Sequence, residues 1–396
     1  MKSIRSKFVI IYMAGLSSIA LADQCPKSGS TVILSSVADL ENISQCVNIY
    51  KQSESGVTYE LESDISLRNI NFTPIGDGNT YFRGTFNGNN HSISDLYLES
   101  GRSAPVPYEY SFYWGLFGAL GPNSIVRDLQ LNNFNFVIRE SDICGGALAS
   151  YTENAKVSNV SANIKIDTMA YQQYIAGLIG CSMFTNIEHS SAAVQINGTG
   201  GIFSSGGLIG QLYSSKVKNS NSSGNISASS LDETGGFIGS SYTNDTDEIS
   251  INNSYSNTNI SGIGHHNGGF IGSFDGEGII TNSYATGYIK SSGGGFVGSV
   301  GSGTKINPLT ISNIYATGKV QNGSGLSEYY SGTYSSCSNS YWDTQTTEES
   351  TSLICSTGGR TTQQMNIEST FTGWDFVNTW IIDSTHNHYP YLRTNP

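Results

Sequence analysis

The sequence predicts an all-β fold: a parallel β-solenoid of the right-handed β-helix kind, with coils of about 30 residues and a cap at each end. Three observations lead there. A glycine-bracketed apolar run recurs seven times at a nearly constant step. An asparagine-centred signature recurs in phase with it. Of the 396 residues, 46 are Gly and only 13% are charged, so polarity comes from Ser, Thr, Asn and Gly. These are residues of tight turns and polar strands rather than of amphipathic helices. The 23 Tyr and 16 Phe argue against disorder, which goes with high charge and few aromatics.

Lys2, Arg5 and Lys7 precede an apolar stretch from Phe8 to Ala20, and Ala20-Leu21-Ala22 is a small-residue cleavage site. Residues 1–22 are therefore expected to be a secretory signal peptide, with Asp23 as the first mature residue. No later stretch approaches 18 apolar residues, so the mature chain is expected to lack an integral membrane segment. A lipobox needs a small residue before its Cys, and Gln24 stands before Cys25. The expected location is secreted or cell-surface, with the periplasm also allowed.

Residues 23–110 are expected to form an N-terminal cap and the first coils. The repeats are expected over 111–345. Their apolar runs are Trp114-Gly-Leu-Phe-Gly118, Gly145-Gly-Ala-Leu-Ala149, Ala176-Gly-Leu-Ile-Gly180, Gly206-Gly-Leu-Ile-Gly210, Gly235-Gly-Phe-Ile-Gly239, Gly268-Gly-Phe-Ile-Gly272 and Gly294-Gly-Phe-Val-Gly298. The steps between shared glycines are 31, 31, 30, 29, 33 and 26. A short apolar run between two glycines suits a buried strand at a crowded corner. The second signature centres on Asn159, Asn219, Asn253, Asn282, Asn313 and Asn339, with Asp128 and His189 standing in. An apolar residue lies two places before most of these and another seven places after, as in Ile280-x-Asn282 and Ile289. The Asp128 copy slips and offers Phe134 and Phe136. One such repeat cannot bury its apolar face alone, but stacked copies can. A β-propeller blade would need about 40–50 residues. Asn tolerates the left-handed conformation, and its amide can bond the same group one coil away, so an amide ladder is expected at one corner. Residues 346–396 are expected to form the C-terminal cap, with a short helix near Thr361–Asn366, because solenoid ends expose strand edges.

Six cysteines in an exported chain imply disulfides. Local pairing gives Cys25–Cys46, Cys144–Cys181 and Cys337–Cys355. Simple stacking offsets the second pair by six residues, about 20 Å along a straight strand, so that pair needs a bend. Tyr255, Tyr284, Tyr315 and Tyr341 each stand two residues after the Asn. In register they form a column of rings. If strand alternation runs on, the rings fill the core. If the Asn turns a corner, they face out and form a binding stripe, since aromatic faces suit sugar rings.

Catalytic constellations are sparse. The net charge of −12 gives no basic footprint for nucleic acid. There is no C-x-x-C, no P-loop and no G-x-S-x-G. His386-x-His388 and His265-His266 read as polar loops. Asp232-Glu233 and Asp245-Thr246-Asp247-Glu248 read as solvated loops. No cofactor is expected; calcium is the ion such ligands would suit, but a D-x-D-x-D-G loop is missing.

The Gly-[Leu/Phe]-[Ile/Val]-Gly run resembles the GLUG motif of bacterial surface, adhesin-like and immunoglobulin A peptidase proteins. The flanks are similar too: Phe72-Thr-Pro-Ile-Gly76 and His91-x-Ile93 on entry, Tyr341-Trp-Asp-Thr344 and Phe371-x-Gly-Trp-Asp-Phe376 on exit. The resemblance covers roughly residues 60–396. It implies an architecture rather than a chemistry, because the motif is a scaffold unit. The H-E-x-x-H of a zinc peptidase is absent. The expected function is an exported, non-catalytic adhesion or binding scaffold for an extracellular protein or glycan. A β-helix polysaccharide lyase or hydrolase, and an envelope structural protein, are the alternatives.

Overall fold

The computed structural model describes residues 25–100, 114–139, 144–169, 171–243, 247–301, 308–331 and 335–393. The signal segment expected at 1–22 lies outside them. The chain forms a parallel β-solenoid of about nine turns. One sheet has 21 strands and a second has eight. Among the described strands, antiparallel pairing occurs where Trp380–Ile381 meets Tyr391–Leu392.

The apolar residues of the Asn signature are register partners from coil to coil. Val126, Val157, Ile187, Val217, Ile251, Ile280 and Ile311 form one buried column. Phe136, Ile166, Ile196, Ile226, Ile260, Ile289 and Val320 form another. The slip after Asp128 is an irregularity in the 125–138 strand, where one extra residue is taken up and Asn133 adopts φ 57°. Phe136 thereby regains its place opposite Ile166.

Every Asn position turns a corner. Asp128, Asn159, His189, Asn219, Asn253, Asn282, Asn313 and Asn339 all have φ between 47° and 54°. Asn and Asp enter this left-handed region more readily than other residues bearing a Cβ. Their side chains bond between coils: Asn159 Nδ2 donates to Asp128 Oδ1 at 2.8 Å, Asn219 Nδ2 meets His189 Nε2 at 3.0 Å, and Asn313 Nδ2 donates to Asn282 Oδ1 at 3.2 Å. The next residue is usually Ser, and it points inward. Ser190, Ser220, Ser254 and Ser283 each accept a backbone N–H from the preceding coil. Each also donates to the carbonyl two residues back. Buried hydroxyls are thus satisfied at the corner, as the interior requires.

The Gly-x-x-Gly runs lead into and form the eight-stranded sheet, from Phe117–Leu120 to Ser327–Tyr330. Their first glycine has no room for a side chain: a Cβ at Gly236 would lie 2.1 Å from the Gly269 carbonyl oxygen. Phe237, Phe270 and Phe296 stack in the core at 4.6 and 4.7 Å between centroids. Structural register moves one copy of the motif by a residue. Ala149 faces Phe117 and Ile179, so the second copy reads Ala147-Leu148-Ala149-Ser150 and replaces both glycines. Register also adds copies at Ile75-Gly76, beside Phe117, and at Gly325-Leu326-Ser327-Glu328.

All three disulfides form as expected, with Cα separations of 5.8, 5.6 and 5.3 Å. The bend that Cys144–Cys181 needs is present. The turn leading into each motif folds over the last glycine of the next coil. A Cβ at Gly180 would lie 2.2 Å from Gly145 N, and one at Gly298 2.2 Å from the His266 carbonyl oxygen. That fold-over carries Cys144 to Cys181.

A helix that the repeat analysis did not predict, α1 (Val37–Asn48), precedes the first long strands. Ser36 and Asp39 form a capping box, and Leu40, Ile43, Cys46 and Val47 are buried. The helix expected near Thr361–Asn366 is α2 (Thr362–Met365), capped by Thr361 and Gln364.

Candidate binding face

Tyr255, Tyr284, Tyr315 and Tyr341 are in register. Neighbouring rings in the first three are 4.9 and 5.0 Å apart and within 6° of parallel. The left-handed Asn flips strand alternation, so the preceding Ser goes in and the Tyr goes out. The rings therefore leave the solenoid core, but they are not a surface stripe. Met365, Phe371, Trp374, Trp380 and Leu392 of the C-terminal segment pack over them as a second hydrophobic cluster. Tyr284, Tyr315 and Tyr341 keep 7%, 2% and 6% of their surface. Tyr315 Oη donates to the Pro390 carbonyl at 2.7 Å, and Trp374 Nε1 donates to the Asn339 carbonyl at 2.8 Å. Tyr389 Oη donates to Asp343 Oδ2 at 2.6 Å; burial, then that carboxylate, push its pKa up to about 12. Burial raises the hydroxyls of Tyr284 and Tyr315 well above the ordinary range. Only Tyr255, at the end of the column, stays half-buried. The proposed stripe is thus corrected: these rings bind the chain's own C-terminal segment.

Exposed aromatics lie elsewhere, on the outer face of the eight-stranded sheet. Alternation around the buried column Leu120, Thr152, Ser182, Leu212, Ser241, Phe274 and Val300 sends the residues on either side of it outward. One column is Ala119, Tyr151, Cys181, Gln211, Ser240, Ser273, Ser299 and Tyr329. The other holds Glu153, Met183, Tyr213 and Tyr242. Tyr81 packs on Tyr151 at 5.8 Å, Phe184 on Tyr213 at 5.3 Å, and Tyr213 on Tyr242 at 4.9 Å. Tyr151 Oη reaches Met183 Sδ at 2.9 Å, and Tyr242 Oη donates to Gln211 Oε1 at 3.2 Å. The result is a row of two aromatic clusters, Tyr81–Tyr151 and Phe184–Tyr213–Tyr242, joined through Met183, half-buried at Tyr81, Tyr151 and Tyr213 and 40% exposed at Tyr242. Partial burial raises the hydroxyls of Tyr81, Tyr151 and Tyr242.

At the Tyr242 end the row meets carboxylates. Asp275 follows Phe274, the register partner of Ser241, and so lies beside Tyr242. Ser273 Oγ donates to Asp275 Oδ2 at 3.3 Å. Glu233, at φ 47°, accepts from Ser204 Oγ at 2.9 Å. Burial raises the Glu233 pKa; the charges of Asp232 and Asp275 add to this, while the Ser204 bond and His266 oppose it. His266 Nδ1 is 3.5 Å from Asp232 Oδ1.

Among the described residues, one trio of potential metal-ligand atoms converges: Cys25, Cys46 and Glu54, whose sulfurs are joined to each other. The carboxylates Asp232, Glu233, Asp247 and Glu248 belong to no such group among the described residues, and Asp245 lies outside those residues. His386 stacks on Tyr391 at 3.9 Å and bonds Thr385. No described helix is long and apolar enough to cross a membrane. The outer-face aromatics escape a motif search because they follow the recurring run at positions where other coils carry Ser, Gln, Met or a carboxylate. The shared signal is the outward phase alone.

No protein-family model matches the chain. A candidate Gly-rich membrane protein of Evansella cellulosilytica is 27% identical over 162 residues, covering 39% of this chain. The matched region spans only 18% of that relative's length. Among solved structures, a candidate immunoglobulin A1 protease from Bacteroides ovatus shares 13% identity over 92% of both chains, at a TM-score of 0.43. A second, an IgA1 protease, shares 17% identity over 73% of this chain and 22% of its own, at a TM-score of 0.46.

Proposed function

We propose that the chain is an exported, non-catalytic scaffold of GLUG-type repeats that binds an extracellular glycan or protein through the outer face of its eight-stranded sheet. The observation that carries this is the row from Tyr81 to Tyr242, in which Tyr213 and Tyr242 are register partners and Met183 links the two ring clusters. Tyr combines a large apolar face with a polar edge and is suited to such contacts. Three disulfides support an oxidising, extracellular setting. A glycan array probed with the mature protein tests the reading. The expected result is binding that Tyr213→Ala with Tyr242→Ala abolishes while the fold is kept. Binding unchanged in that double variant would move the site off this face.

One observation favours a second reading, a β-helix polysaccharide hydrolase. Glu233 has a raised pKa and sits near Asp232 and Asp275 on one face, the setting of a proton-donating carboxyl. Turnover of any member of a polysaccharide panel, lost in Glu233→Gln, would replace the scaffold reading.

A further inference from the structure

We infer that the ligand of this face is a linear glycan bearing free amino groups, lying along the solenoid axis with its sugar rings on the aromatic row and its ammonium groups over Asp275, Asp232 and Glu233. The inference rests on the binding face proposed above and specifies its ligand.

The argument begins with what the face lacks. From Ala149–Glu153 through Val297–Val300, the outward positions of the eight-stranded sheet carry no Lys and no Arg. The basic residues of these coils, such as Lys165, Lys216 and Lys218, lie on the other sheet. Among the described residues, these three carboxylates therefore meet two histidines, the exposed His265 and the partly exposed His266, and no Lys or Arg. Asp275 is exposed, and the Ser273 hydroxyl leaves its charge in place. An acidic polysaccharide would meet this patch and the chain's net charge of −12 with like sign. A neutral polysaccharide would use the rings and leave the carboxylates unmatched. An amino-bearing polymer uses both.

Direction follows from register. Met183, Tyr213, Tyr242 and Asp275 belong to consecutive coils at one lateral position. Adjacent coils are separated by about 4.8 Å, close to the rise of one sugar unit in an extended polymer. A chain laid along the axis thus meets one platform residue per sugar and reaches the acidic end without bending.

Sedimentation of the mature protein with chitosan, chitin and cellulose tests this, at a pH where the amines are protonated. Chitosan carries free amines, chitin carries the same sugar acetylated, and cellulose carries neither. The expected result is apparent affinity for chitosan about tenfold above that for the other two, falling as salt is raised. Asp275→Asn with Glu233→Gln should remove that preference and leave cellulose binding unchanged. Tyr213→Ala with Tyr242→Ala should weaken all three. Equal affinity for chitosan and cellulose, or an undiminished preference in the carboxylate variant, would overturn the inference while leaving the binding face intact. Binding to none of the three would overturn the inference and leave the face to a ligand of another class. Circular dichroism of each variant separates lost binding from lost folding.

Discussion

Replacing Tyr315 with Ala should release the C-terminal segment without unwinding the solenoid. Tyr315 sits in the middle of the aromatic column, 2% exposed, with Tyr284 at 5.0 Å, Trp380 at 6.2 Å and Trp374 at 6.3 Å between ring centroids. Its hydroxyl also holds the Pro390 carbonyl. Truncating a buried aromatic costs about 3–5 kcal/mol. Because these contacts join the cap to the coils, the loss falls on local cap opening rather than on global unfolding. At about 1.4 kcal/mol per factor of ten, cap amides should exchange faster by a factor of roughly 10² to several times 10³. Native-state hydrogen exchange reads this at Trp380 and Arg393, whose N–H groups bond Asp375 and Thr379. The amides of Ile226 and Ile238, coils away, should keep their protection. Tyr315→Phe should show only the smaller effect of a lost hydrogen bond, about 0.5–1.5 kcal/mol. Unchanged cap exchange in Tyr315→Ala, or coil amides exchanging along with the cap, would refute the assignment of these rings to a separate cap-binding cluster.

Asn313→Val should destabilise by about 1–2 kcal/mol more than Asn313→Gly, because φ is 53° and Val pays the left-handed penalty; chemical denaturation measures the difference. Serine at both Cys144 and Cys181 should cost about 4 kcal/mol by the chain-entropy argument for a 37-residue separation, read by comparing midpoints of oxidised wild type and variant. Glu54 is buried, donates nothing and accepts from Tyr59 Oη, and burial raises its pKa above the ordinary 4.5. The native state therefore holds its proton more tightly than the unfolded chain. This contribution to stability is complete below about pH 4.5 and is lost as pH rises through the raised native value. Glu54→Gln should remove that pH dependence and raise the thermal midpoint at neutral pH.

The coil period, the two apolar columns and the Asn corner were readable because each recurs, and recurrence survives local noise. The disulfide pairs followed from proximity in sequence. What the repeat logic hid were departures from it. Ala147-Leu148-Ala149-Ser150 is out of step with its glycine neighbours in sequence yet in register in space, because Ala and Ser are small enough for the same crowded corner. Helix α1 belongs to no repeat; its signal was local, Ser36-x-x-Asp39 followed by apolar residues at helical spacing. The fate of the Tyr column depended on a segment that begins 50 residues downstream of Tyr315, at Met365, and reaches Leu392, which no local pattern encodes. The aromatic row of the other sheet required knowing which residues point outward, and that depends on the register of coils of unequal length.

The docking of the C-terminal segment has a mechanical consequence. In a stacked solenoid pulled from its last strand, tension would meet the ladder bonds one at a time and peel coils away in sequence. Here a load entering at the described end, near Arg393, passes first into Trp380, Tyr389 and Pro390. It leaves them through Tyr315 and Tyr284, which belong to earlier coils, and through Asp343 near the last. The Cys337–Cys355 link ties the Ser335–Ser338 strand to the bend that precedes the segment. The segment thus works as a strain relief, distributing tension over several turns and keeping it off the terminal strand edge. Under such a load the eight-stranded sheet would keep its coils in register.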